Sequence, residues 1–332
     1  MYMFKTYSYT FLALFILSSC GGGGGGGAPT PTPPDPVPSV SFSSSTDSAP
    51  LSSEITLTWS STNANSCAAS GAWQGAKATS GSQVITLESV GNNEFTISCT
   101  GSGGTTARTV NVEAFRQISG VSVDGYIRGA DIFIDTNNNY VLDTDEYSTV
   151  SEADGSFILR YEDGTLISLN GFDLDTNNEL SNFLLTHNLN GFSDFIVVSP
   201  ITTISSFLTD QDILKPALGI DNSIDIFTFD PVANKSTSLI SDYLYEKGNQ
   251  LTFLAYSLQN ISNGINSTSD TSEDYFESIA EEISTEFSST QDIVNIESSS
   301  FIDKVLQNIS TKKSLSIGAD SLENITAALA NT

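Results

Sequence analysis

Histidine occurs once in 332 residues and cysteine three times. Zinc sites built from several imidazoles, haem and iron–sulfur clusters therefore lack the ligands they need from one chain. Basic residues are scarce as well: 12 Lys and Arg stand against 39 Asp and Glu, a formal charge of −27. Such a surface repels phosphate backbones and anionic headgroups, which removes DNA, RNA and bare bilayers as partners and favours cations. The apolar stretch Phe11 to Leu17 is too short to cross a bilayer as a helix, which takes about 20 residues. What is present is ordinary globular material. The apolar share of 39 %, together with 25 glycines, excludes full-length disorder, and the length implies two or three domains.

Lys5 and the apolar run that follows it read as an export signal. Its ending, Leu17-Ser18-Ser19-Cys20, resembles a bacterial lipobox, in which the cysteine is acylated and begins the mature chain; the simpler alternative is a secretory signal with an incidental cysteine. The resemblance implies membrane attachment through lipid on Cys20. With Gly21 rather than aspartate next, it implies sorting to the outer membrane, facing the surface or the periplasm. Seven glycines, Gly21 to Gly27, and six prolines between Pro29 and Pro38 follow. A flexible coil joined to a stiff polyproline segment makes a tether that holds a domain roughly 40 Å off the membrane.

From Val40 to Glu113 short alternating stretches, such as Glu54 to Ser60 and Glu94 to Thr100, are separated by Gly, Ser, Asn and Thr clusters, which predicts a β-sandwich. With Cys20 set aside for lipid, Cys67 and Cys99 are disulfide partners in an oxidising compartment, two free thiols being the alternative. The words Trp59-Ser-Ser-Thr-Asn63 and Cys67-Ala-Ala-Ser-Gly-Ala-Trp73 resemble immunoglobulin-like repeats of bacterial surface proteins, which implies a spacer or a contact module. Trp73, between Gly71 and Gly75, reads either as a stacking platform for a sugar or as a cover for the disulfide.

A second β-domain begins at Gly120, and between its strands lies Asp135-Thr-Asn-Asn-Asn-Tyr-Val-Leu-Asp-Thr-Asp-Glu146. Side-chain oxygens fall at loop positions 1, 3, 5, 9 and 12, on Asp135, Asn137, Asn139, Asp143 and Glu146, with the Val141 carbonyl at 7. That is the oxygen spacing of an EF-hand loop, and calcium is the expected ion. Position 6 is Tyr140 where the motif has glycine, and a left-handed backbone there costs about 1 kcal/mol. The expected affinity is accordingly of extracellular grade, on the order of 10⁻⁴ to 10⁻³ M. The competing reading is an Asn/Asp-rich turn that bonds to itself. With Ala153-Asp-Gly-Ser-Phe157, the unit resembles calcium-binding B-type repeats of adhesins joined to carboxypeptidase-regulatory-like domains, which carries the same five side chains over as ligands. Asp173 to Glu179 reads as a strand-exit turn, a second metal ion being the alternative, and His187 as a solvated loop histidine.

Ser199-Pro200 opens a helical pattern, and apolar stripes through Ile240 to Ile261, Tyr275 to Phe287, Phe301 to Ile309 and Leu322 to Leu329 predict a helical bundle. Val197 to Ile204, with Ala217 to Asp221 and Phe229 to Ala233, resembles a segment of bacterial surface lipoproteins that carries no assigned chemistry. The fold class is thus multidomain α+β: signal (1–19), tether (20–39), Ig-like sandwich (40–115), calcium-binding β-domain (116–198) and helical domain (199–332). A serine triad would need His187, which has no nucleophile-elbow glycines beside it, so no catalytic residue is expected. The expected role is a calcium-stabilised, lipid-anchored envelope protein whose ligand is a glycan or another envelope protein. A carboxylate-based hydrolase and a purely structural component are the alternatives.

Overall fold

A computed structural model describes residues 32–189, 191–266, 268–315 and 319–330. It is a mixed α/β structure with several sheets and six α-helices, ending in a helical region. The expected signal (1–19) and the expected lipidation site Cys20 lie outside the described residues.

The first module has eight strands: β1 Ser39–Ser44, β2 Ser48–Pro50, β3 Glu54–Thr62, β4 Ser66–Gly71, β5 Gly75–Lys77, β6 Ser80–Thr86, β7 Gly91–Gly101 and β8 Gly104–Phe115. They form a sheet ordered β1-β3-β6 and a second ordered β2-β8-β7-β4-β5. Period-two alternation decides the inward faces. On β3 it turns Ile55, Leu57 and Trp59 inward, on β7 Phe95, Ile97 and Cys99, and these meet Trp73 and Val112 in one apolar core.

The second unit starts with ten strands: β9 Gln117–Ser122, β10 Ile127–Arg128, β11 Asp131–Asp135, β12 Ser148–Val150, β13 Ser156–Arg160, β14 Thr165–Leu169, β15 Phe172–Asp173, β16 Asn178–Glu179, β17 Leu184–Asn188 and β18 Phe195–Val198. Their sheets run β12-β11-β14-β17, β13-β9-β18 and β10-β15-β16, with β18 parallel to β9. The helices are α1 Pro200–Phe207, α2 Leu214–Leu218, α3 Leu239–Asn266, α4 Glu273–Thr290, α5 Ser299–Lys312 and α6 Ala319–Leu329. Among the described residues no helix is long and apolar enough to cross a membrane.

Ser199 starts α1 through a reciprocal cap, its side chain accepting from the Thr202 N–H at 3.2 Å while Thr202 Oγ1 accepts from the Ser199 N–H at 2.8 Å. Helix α1 is buried between β17 and the pair α3 and α4. As a result one hydrophobic core runs from Ile118 on β9 to Ile309 on α5. The strands of 116–198 and the helices after them share that core instead of having one each. The sheets supply the surface that the helical stripes need covered. Ser272, just before α4, pins the two halves at an edge: its Oγ accepts from the Leu184 N–H at 2.7 Å and donates to the Leu184 carbonyl at 2.9 Å.

Candidate metal centre

Strand β11 ends on Asp135, whose side chain is fully buried. Its Oδ1 accepts from the backbone N–H groups of Asn137, Asn138 and Asn139 at 3.1, 2.7 and 3.3 Å, and its Oδ2 from that of Tyr140 at 2.8 Å. The chain thus wraps one carboxylate in four donors, the arrangement by which an aspartate nucleates a tight turn. At the far end Glu146 closes the loop, Oε1 accepting from the Thr136 N–H at 2.9 Å and Oε2 from the Asp143 N–H at 3.0 Å. Between them, Asp143 Oδ2 accepts from the side-chain amides of Asn137 and Asn139 at 2.7 and 2.9 Å. All five side chains expected from spacing therefore belong to one hydrogen-bonded loop. Val141 lies exposed at its rim.

Position 6 of the loop is left-handed, Tyr140 having φ 58°, and Asn138 has φ 59°. Glycine would adopt that backbone without strain. Tyrosine brings a ring instead, which packs on the Phe133, Ile167 and Leu184 cluster and lies 6.3 Å from the Phe207 ring of α1. Burial, followed by acids led by Glu277, raises the phenol above its ordinary range. The departure from the glycine pattern thereby docks the loop onto the sheet and the first helix, which offsets the backbone cost.

The donors are all oxygens, which suits a hard cation. Asn137 Oδ1 accepts from the Asn139 N–H at 3.1 Å and Asn139 Oδ1 from the Val141 N–H at 2.8 Å, which leaves each amide oxygen a second lone pair. Among the described residues no three His, Cys, Asp or Glu side chains converge as a metal-holding group. A six-oxygen site here depends on the two asparagines and the Val141 carbonyl as much as on the acids.

Cys67 and Cys99 are bonded to each other and sit opposite one another on β4 and β7, neighbours in one sheet. Trp73 is not a sugar platform. It is buried, stacked on Phe42 at 5.6 Å and edge-on to Trp59 at 5.4 Å, with its Nε1–H donated to the Thr96 carbonyl at 3.1 Å. Asp173 forms the turn between β15 and β16, accepting from the Asp175 N–H at 2.9 Å. His187 is not a solvated loop residue either. It lies buried in β17, donates Nδ1–H to the Val197 carbonyl at 2.9 Å and meets Phe227 edge-on at 5.2 Å. Burial, more than any neighbour, pushes its imidazole below the ordinary range and keeps it neutral.

One titratable group carries no signal in the sequence. Asp124, in an Asp-Gly turn after β9, is 7 % exposed and accepts from Thr252 Oγ1 of α3 at 2.8 Å. Burial lifts its carboxyl to about 7, and the charges of Asp173 and Asp175 add to the rise. The dipeptide marks a turn; its burial comes from α3, 128 residues further along the chain.

No protein-family model matches the chain, and a search of curated proteins finds no match.

Proposed function

We propose that this chain is a lipid-anchored protein of the bacterial cell envelope, stabilised by calcium, that presents a ligand-binding unit for a glycan or an envelope protein. The observation that carries the calcium part is the loop 135–146, where a fully buried Asp135 organises the backbone and Glu146 ties its ends. With a dissociation constant of about 10⁻⁴ to 10⁻³ M, 10 mM calcium adds about 1.4–2.7 kcal/mol to the folded unit. The anchor rests on Leu17 to Cys20 and on the glycine and proline tether. The first module, two sheets around a core with a bridge between neighbouring strands, is in this reading an immunoglobulin-like spacer.

Fractionation of cells that express the full chain tests the anchor. The wild type is expected in the outer membrane and released only by detergent, whereas Cys20→Ala is expected in the soluble fraction. Equal membrane retention of the two proteins contradicts lipid attachment.

A further inference from the structure

Strands β10, β15 and β16 form one small antiparallel sheet in which Arg128 stands opposite Phe172, and Phe172 opposite Glu179. Residues directly opposite on antiparallel strands share a face. The sheet therefore carries a guanidinium, a ring and a carboxylate in one row, the two charged residues about 10 Å apart at the backbone. Gly171 lets β15 come this close to β10: its φ is 107°, and a Cβ there would stand 2.6 Å from Ile127 Cγ2. The row lines an open cleft of about 800 Å³, a volume within the range of small-molecule sites.

The two charges are uncommitted. Arg128 Cζ lies 4.4 Å from the centre of the Phe172 ring, and among the described residues the guanidinium makes neither hydrogen bond nor ion pair. That is unusual in a chain with 39 acids and 12 bases, the more so because Glu152 and Glu179 line the same cleft. The Glu179 carboxylate has no hydrogen-bond or ion-pair partner among the described residues either. A guanidinium seated on a ring is held in place while its N–H donors stay available, which suits a carboxylate. Asn170 adds a donor to the lining: its Oδ1 accepts from the Asn182 N–H at 2.8 Å, and its amide N–H groups have no acceptor among the described residues.

A bare anion in this cleft meets two carboxylates and the net charge of −27, and a bare cation meets Arg128. A ligand with one charge of each sign satisfies both ends of the row and carries no net charge for the chain to repel. Three residues of extended peptide span about 10 Å. We propose that the cleft binds a short peptide of two or three residues with both ends free. Its C-terminal carboxylate lies on Arg128, its N-terminal ammonium on Glu179 and an apolar side chain against Phe172. The site is separate from the 135–146 loop and rests neither on calcium nor on lipid attachment.

Titration calorimetry of the full chain at pH 7 with the tripeptide Ala-Leu-Ala, against its N-acetyl and C-terminal amide forms, tests the proposal. Capping either end is expected to weaken binding at least about tenfold. Arg128→Met, which keeps an apolar stem over Phe172, is expected to abolish the preference for acid over amide and to leave that for amine over acetyl. Glu179→Gln is expected to do the reverse, and Glu152→Gln to change neither. All three positions are exposed, and the variants are expected to melt with the wild type. No binding of the free tripeptide at about 10 mM, or capped peptides that bind as well as the free one, would overturn the proposal. So would a preference that survives loss of its charged residue, or an amine preference that disappears in Glu152→Gln and not in Glu179→Gln.

Discussion

Replacing Asp124 by asparagine stabilises the second unit at pH 8 by about 4 kcal/mol, and the gain disappears below pH 4. The buried carboxyl is lifted from 3.8 to about 7, and every tenfold tightening of a carboxyl's hold on its proton corresponds to about 1.4 kcal/mol. The sign follows from proton counting. Below 3.8 both folded and unfolded chains hold the proton, and Asp124 costs nothing. Between 3.8 and about 7 the unfolded chain has released it while the folded chain retains it, so this residue's contribution falls as pH rises and levels off above about 7. Asparagine keeps the acceptor for Thr252 and carries no charge. For a unit of this size a gain of about 4 kcal/mol raises the melting temperature by roughly 8–16 °C. Calorimetry of both proteins at pH 8 and pH 4 checks it; a destabilised variant at pH 8 would mean that the ionised carboxylate is held by partners stronger than Thr252.

The second large effect concerns the first module. Converting both Cys67 and Cys99 to alanine opens a loop whose ends are 32 residues apart, and chain entropy puts the loss at about 3–4 kcal/mol. Both sulfurs lie in the core with Trp59 and Trp73, so lost packing adds to that figure. For a module of roughly 75 residues the melting temperature drops by about 12–30 °C. The core of the first module is separate from the one that runs from Ile118 to Ile309. The second unit's transition is therefore expected to keep its wild-type position. A scan in which both transitions fall together would show that the modules unfold as one.

Local pattern and tertiary context divide the credit unevenly. Strand β3 is legible directly, because Ile55, Leu57 and Trp59 alternate with polar neighbours. Helix α3, Leu239–Asn266, follows from apolar residues at steps of three and four. The loop at Asp135 is legible for the same reason: its oxygens recur at fixed offsets, and of its two left-handed residues, Asn138 and Tyr140, the second falls at position 6, where the motif has glycine. What a sequence does not display is what covers what. The helical stripes require a partner, but nothing in them says that β17 and the buried α1 provide it. His187 stands among Thr186, Asn188 and Asn190 and looks like a loop; pairing with β14 and a covering Phe227 put it inside. Trp73 has glycines around it in sequence and Phe42 and Trp59 around it in space. Asp124 shows the same limit, since nothing local signals that Thr252 will bury it.

Calcium binding by the 135–146 loop is tested most directly by a crystal structure grown in 10 mM calcium chloride, with anomalous data to identify the ion. One calcium is expected about 2.3–2.6 Å from oxygens of Asp135, Asn137, Asn139, Asp143 and Glu146 and from the Val141 carbonyl. A loop that retains the amide bonds from Asn137 and Asn139 to Asp143, with no anomalous peak between them, would contradict it.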